Sequence, residues 1–425
     1  MERALVACLQ LAVALAVLGA LALARFIYQV VESRGQLEWD PILACDTTWN
    51  RTALVWHNAM AFAADKRDLH AWLNGHCPSN RGGFYSVWRP ELYQNVRAGD
   101  VIFLPADHLE RWAAAILPTI GADSKFVLVT AGSDKPGESI APRAAKLVVK
   151  HAALVGWWSQ NTVMAHPKVH PMPIGINYLD AATHAQFVRG FHPLHLLTPW
   201  RLLAPQESPL DQERQILTLL ADTPPTRKRI LKAWCDFQFD RDNAMRQQIW
   251  RMLQSSPESS KAIVAPPVSY ASKMRLYQAK AQYMFDVSPP GHGIDCVRTW
   301  EALALGMIPI VLISHPPTPL DALFNELPVV RVRNYSEITP ARLRTWASTH
   351  EKRKAKRREA TRETTRVDAR SEVSLTLPDG RRVVVPAPLT TAWWVEKWKH
   401  AATRAAGHTD ATHYWQRTLM GETHR

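Results

Sequence analysis

Short apolar runs alternate with amphipathic stretches through most of the chain. Val101–Leu104, Lys125–Thr130, Lys146–Val149 with His151, Ala153–Trp158 and Val169–Ile176 read as strands or strand-like segments, with a helix over Leu109–Leu117. A proline-containing stretch, Leu194–Asp211, connects this half to a second. There Ile216–Leu220 opens the pattern, Arg227–Trp234 reads as a helix, and Ile263–Val268 is a further apolar segment. A helix over Tyr270–Lys280, strands at Tyr283–Ser288, Ile308–Ile313 and Val329–Val332, and a helix over Ser336–Thr349 complete it. Strands and helices in this alternation predict an α/β protein with two Rossmann-like domains.

The two ends follow other patterns. Ala4–Ala24 is apolar except for Gln10, is flanked by Arg3 and Arg25, and is long enough to span a bilayer. It predicts a signal anchor that leaves the rest of the chain lumenal. Ala22-Leu23-Ala24 also fits a small-residue cleavage site, so a cleaved signal peptide is the alternative. The predicted organisation is an anchor over residues 1–25, a stem over 26–40, an N-terminal domain over 41–205, a second domain over 206–350 and an extension over 351–425. In the extension, Glu351–Arg370 reads as a solvated basic helix, with binding of an acidic glycan or of membrane headgroups as the alternative. Val373–Pro386 reads as a hairpin turning at Pro378-Asp379-Gly380. Thr390–Ala406 is a helix whose Trp393, Trp394 and Trp398 are predicted to pack against the other domain.

Composition sharpens this picture in a few places. The chain has 425 residues, 47% of them hydrophobic, which supports sizeable cores and excludes general disorder. A formal charge of +13 suits nucleic acid, an anionic membrane, or acidic sugars and nucleotides. No zinc-finger, RNA-binding or helix-turn-helix signature accompanies it, so no nucleic-acid partner is predicted. Five cysteines without a CxxC exclude a disulfide scaffold, although Cys45 and Cys77 could pair in a lumenal chain. Asn50-Arg51-Thr52 and Asn334-Tyr335-Ser336 are glycosylation sequons compatible with that location. His166 and His170 flank prolines and lack a third ligand, and Asp240-Arg241-Asp242 reads as a solvated patch, so no metal site is predicted.

The candidate chemistry concentrates in Tyr283–Ile313. A buried strand is followed by the loop Pro289-Pro290-Gly291-His292-Gly293. Asp295 is placed to cap a helix over Cys296–Leu305, and Gly306 ends that helix as a C′ glycine. Glycines before a helix start let backbone N–H groups approach a diphosphate. Arg298 lies one turn in and can pair bidentately with phosphate oxygens. Glu301 can accept from ribose hydroxyls, but spacing alone equally permits a structural Arg298–Glu301 ion pair. Neither a dinucleotide fingerprint nor a P-loop is present. The basic Arg227-Lys228-Arg229 cluster is a second candidate for facing the diphosphate, or else a solvated helix end. Asp107, His108, Ser133, Asp134 and Asn161 follow strands of the first half and are acceptor-side candidates by position.

Ser288, Pro289, Gly291, Gly293, Arg298, Glu301, Ala302, Leu303, Gly306, Ile308, Pro309 and Val311 match a pattern of roughly SPxGxG…xRxxEALxxGxIPV. On these residues the segment resembles the donor-binding region of exostosin-like glycosyltransferases (family 47 and relatives). The strong likeness covers about thirty residues, and a weaker one extends over much of Val101–Tyr335. The resemblance implies a GT-B-like fold, two Rossmann-like domains facing a central cleft. It implies metal-independent transfer of a sugar from a nucleotide-diphosphate sugar to a glycan or glycoprotein hydroxyl, with no further cofactor. Ser288, Gly291, His292, Gly293, Arg298 and Glu301 would bind the donor, helped by Arg227 and Lys228. Asp107 is the candidate base, and a Golgi or ER membrane is the implied location. A non-catalytic glycan-binding or partner-supporting subunit is the alternative. The extension after residue 350 departs from the family pattern.

Overall fold

The computed structural model describes residues 52–67, 88–178, 209–237, 243–266, 273–362 and 372–405, all within one compact unit. The expected anchor and stem, Cys8, Cys45 and Cys77, the Asn50 sequon, the Asp240-Arg241-Asp242 patch and most of the Leu194–Asp211 connection lie outside the described residues. Among the described residues no helix is long and apolar enough to cross a membrane.

Two five-stranded, all-parallel sheets organise the chain, an α/β architecture compatible with Rossmann-like domains. The first contains β1 (Lys66–Arg67), β2 (Val101–Pro105), β3 (Phe126–Ala131), β4 (Leu154–Gln160) and β5 (Val169–Met172), in that spatial order. Its central strands are nearly continuous apolar runs because a parallel sheet is covered on both faces. Ile102, Leu104, Phe126 and Leu128 share a core with Leu109 and Trp112 of α2 (Leu109–Ala115) and Val148 of α4 (Pro142–Lys150). The short α3 (Gly137–Ile140) precedes α4. Val101, Phe103, Val127 and Val129 alternate with them and are equally buried. The last helix of the chain, α12 (Thr391–Ala405), packs on β2, β3 and β4, beside α1 (His57–Phe62). Trp393, Trp394 and Trp398 are buried by this return, as their spacing predicted.

The second sheet has the order β10-β9-β8-β6-β7, from β6 (Ile230–Trp234), β7 (Ile263–Val264), β8 (Tyr283–Val287), β9 (Ile308–Leu312) and β10 (Val330–Val332). The chain leaves β6 in one direction for β7, through α6 (Ala244–Ser255) and α7 (Pro257–Ala262). It returns through α8 (Lys273–Lys280) to place β8 on the other side of β6, then continues outward through α9 (Val297–Ala304) to β9 and α10 (Pro319–Glu326) to β10. The direction of winding therefore reverses between β6 and β8. Crevices outside the C-terminal ends of strands at such a switch point are where ligands bind in open α/β sheets.

Several elements differ from their sequence reading. Lys146–Val149 is not a strand but lies in α4, which Pro142 starts and whose Ala144, Ala145 and Val148 face the core at helical spacing. Ile216–Leu220 lies inside α5 (Pro209–Asp222), where Glu213, Ile216 and Leu217 mark the buried side. Arg227 and Lys228 sit in a single 3-10 turn over Thr226–Lys228, and the predicted helix after them is the strand β6, which pairs with β8. The helix expected over Ser336–Thr349 starts later, at Pro340 after a 3-10 turn over Tyr335–Glu337, and runs on into the basic stretch as α11 (Pro340–Arg362). The hairpin forms as predicted, from β11 (Glu372–Thr376) and β12 (Arg382–Pro386), with Gly380 at φ +83 in its turn.

Backbone bonds join the first described residues to those around the start of α12. Leu54 bridges Thr390, Val55 N–H donates to Leu389 O (2.8 Å), and Thr391 N–H donates to Ala53 O (2.9 Å). The Glu213 carboxylate of α5 accepts from Ala53 N–H, Leu54 N–H and the Tyr178 hydroxyl, each at 2.8 Å. Burial raises its pKa against those three donors.

Candidate functional site

β8 ends at Val287, and the loop Ser288–Ile294 emerges at the switch point beside Cys235–Phe237, the residues that follow β6. Side chains from neighbouring elements hold the loop. Asn243 Nδ2 donates to Gly291 O (3.1 Å) and Arg246 Nε donates to Pro290 O (3.0 Å), both from the start of α6. The loop closes on itself through Gly291 N–H to Gly293 O, at 3.1 Å. A Cβ on Gly291 would sit 3.2 Å from Arg246 Nη2. The Ser288 hydroxyl is buried and bonded to that of Thr299 at 2.7 Å, so its visible role is to fix the loop to α9. His292 is exposed at the tip.

Gly293 meets the first sheet. Asn161, just past β4, is buried, adopts φ +60, and fills the space where a Gly293 side chain would be. Its Oδ1 accepts from Asp295 N–H (2.9 Å) and its Nδ2 donates to Ser133 O (3.1 Å). Asp295 completes the junction. Its carboxylate accepts from Ile174 N–H (2.8 Å), Cys296 N–H (2.8 Å) and the Trp300 indole (2.9 Å). The predicted cap is thus corrected: Cys296 occupies the N-cap of α9, and Asp295 joins the two sheets instead. Full burial pushes the Asp295 carboxyl up to about 6 despite these donors.

Arg298 and Glu301 do not pair with each other. Arg298 Nε bonds Asp236 Oδ1 at 3.1 Å, and Glu301 pairs with Lys273 of α8 at 2.8 Å. Behind them Lys280, 1% exposed, lies 3.3 Å from Asp286 of β8 and 3.7 Å from Asp236. Burial raises the Asp286 carboxyl to about 7, against the pull of Lys280. Burial opposes ionisation of Glu301 and Asp236 as well, but the neighbouring cations win and hold both below the usual carboxylate range. The switch point is therefore backed by a buried network of alternating charges.

The remaining candidates are dispersed. Asp107 follows the C-terminal end of β2, on the same edge of the first sheet as Asn161 and two strands away; burial raises its pKa. It does not cap α2, whose N-cap position is His108. Arg227 and Lys228 precede the N-terminal end of β6, where Thr226 donates to Gly306 O at 2.8 Å. That is the opposite end of the sheet from Gly291 and Gly293, so the expectation that they face the same phosphate group fails. The expectation rested on a helix beginning at Arg227, where the chain instead forms a 3-10 turn and then β6. Asn243, Arg246, Asp236 and Lys273 were missed. Arg246 and Lys273 belong to the helices flanking the switch point, and only the strand order reveals that they converge there.

Gly306, by contrast, is the predicted helix end. At φ +68 it donates to Leu303 O (3.0 Å) while Met307 N–H donates to Ala302 O (2.9 Å), the paired bonds of a Schellman motif. His170 lies in β5 with its ring 4.6 Å from that of Trp158, and His166 lies in the preceding loop. Among the described residues no group of three or more His, Cys, Asp or Glu could hold a metal ion. Cys235 and Cys296 are buried free thiols. Comparison with protein-family models and with curated proteins gave no match to the chain.

Proposed function

We propose that the protein is a glycosyltransferase that takes a sugar from a nucleotide diphosphate and passes it to a glycan or glycoprotein hydroxyl. The observation that carries this reading is the glycine loop Pro289–Gly293 at the switch point of the second sheet, with Arg246 and Arg298 on its flanks. A diphosphate leaving group needs positive potential and backbone donors, supplied here by the two guanidinium groups and the start of α9. Glu301 would contact the ribose from deeper in the crevice. Asp107, past the C-terminal end of β2 in the first sheet, would be the base an inverting reaction needs, and its raised pKa favours that role. The donor half and acceptor half would then form a GT-B-like pair, working on the lumenal side of a Golgi or ER membrane behind the Ala4–Ala24 segment.

A second reading has its own support. Arg298 and Glu301 are already satisfied by Asp236 and Lys273, as they would be in a scaffold that binds no donor. A non-catalytic, partner-supporting subunit would look like this. Calorimetric titration with UDP, GDP and CDP separates the two. Binding of one diphosphate, weakened at least about tenfold by Arg298→Ala and by Arg246→Gln in proteins that melt cooperatively, is the outcome expected of the transferase. A folded wild-type protein that binds none of the three overturns it and leaves the subunit. Slow hydrolysis of the matching sugar nucleotide, abolished by Arg298→Ala, would add the activity itself.

A further inference from the structure

A cleft lies away from the glycine loop. It has a volume of about 800 Å³ and opens at the N-terminal ends of β9 and β10, between α11 and the β11–β12 hairpin. Part of its wall is apolar: Met307, Ile308, Phe324 and Val385 contribute, with Trp346 from α11. The helix contributes Trp346, then Thr349 and His350, then Arg353 and Lys354, at the spacing of one helical face, with Lys356 at its border. A surface helix normally turns an apolar stripe inward. Here the stripe changes from aromatic to cationic along the cleft, and the cations line a hollow.

Among the described residues Arg353, Lys354 and Lys356 make no hydrogen bond or ion pair, whereas Arg331, also on the cleft, is held by Asp321 and Asn325. A smaller cavity of about 300 Å³ shares Lys354 and Thr226 with the first and adds Arg227, likewise unpaired among the described residues. Each cavity has one carboxylate in its lining, Glu372 in the larger and Glu351 in the smaller, so the cations are in excess. The carbonyls at the end of α9, which would favour a cation, are already occupied: Leu305 O accepts from Arg229 at 2.7 Å and Gly306 O accepts from Thr226.

We infer that this cleft is a second ligand site, for a small organic phosphate with an apolar or aromatic body. The apolar part of the wall would hold the body, and Arg353, Lys354 and Lys356 at the mouth would hold the phosphate, with Arg227 reached through the adjoining cavity. A volume of this size is in the range of small-molecule sites. The site is independent of the donor reading: it uses none of the residues around the glycine loop.

Naphthyl phosphate is a suitable probe, with inorganic phosphate and naphthol as its separated halves, titrated calorimetrically into the full-length protein. One site is expected for naphthyl phosphate, with each half binding at least about tenfold more weakly. The double variant Arg353→Gln, Lys354→Gln should weaken the probe at least about tenfold, and Arg227→Gln by a smaller factor. These side chains are charged and partly or fully exposed, so an unchanged melting temperature is expected to accompany the loss. Arg298→Ala should leave probe binding unchanged. No binding by the folded protein, equal binding by the double variant, or a loss caused by Arg298→Ala instead would overturn the proposal. The last outcome would put the probe at the glycine loop.

Discussion

A Cβ on Gly293 would lie 2.5 Å from the carboxamide nitrogen of Asn161, so the second glycine of the loop answers to a neighbouring side chain. Gly293→Ala must push Asn161 off its bonds to Asp295 N–H and Ser133 O. A loss of about 1–3 kcal/mol is expected from such overpacking, read as a lower urea midpoint. In an Asn161→Gly background, which tolerates φ +60 and removes the clash, the same substitution should cost less than half as much. Equal costs in both backgrounds would show that Asn161 is not the cause. Sequence reasoning assigned Gly293 to phosphate approach because a glycine before a helix has that use. The residue that makes glycine necessary here is far away in sequence, and no local pattern announces it.

Individual elements divide in the same way into those that local chemistry specifies and those that tertiary pairing decides. The Tyr283–Val287 strand, the loop, α9 with its Gly306 end, the hairpin and the Trp-bearing last helix were legible because each carries its own signal: an apolar run, a proline pair, a Schellman glycine, a Pro-Asp-Gly turn, a tryptophan stripe. β6 was not. Ile230 and Leu231 are exposed and Lys232 half-exposed, so its apolar alternation is weak, and its strand state comes from pairing with β7 and β8. Once β6 was misread, Arg227 and Lys228 went to the wrong end of the sheet. α5 was not legible as a helix because Ile216–Leu220 stands out as an apolar run, and the carboxylate three residues earlier hides the helical period. That carboxylate gives the helix its structural role. Glu213→Gln replaces one acceptor oxygen with a donor facing backbone N–H groups, and should lower unfolding stability by about 1–3 kcal/mol in chemical denaturation.

For the molecule as a whole, the buried carboxyls set a pH dependence. Asp286 and Asp295, raised to about 7 and about 6, keep their protons in the folded chain at pH values where the unfolded chain has lost them. Stability should therefore fall as pH rises from about 4 to about 7, and Asp286→Asn should make that fall shallower by roughly 1 kcal/mol or more. Denaturation midpoints at several pH values test this; a wild-type curve that rises across the window would contradict it. The return of α12 to the first sheet acts at the same scale. Trp398→Ala should cost about 3–5 kcal/mol, although Trp398 belongs to the last element described and the sheet it covers is built much earlier in the chain. During synthesis that interval becomes a waiting time. More than two hundred residues separate Tyr178 from the end of α12, which at ordinary elongation rates is roughly 10–45 s. A first sheet that forms before α12 is made has one apolar face uncovered for that interval, waiting for a lid that has not yet been translated.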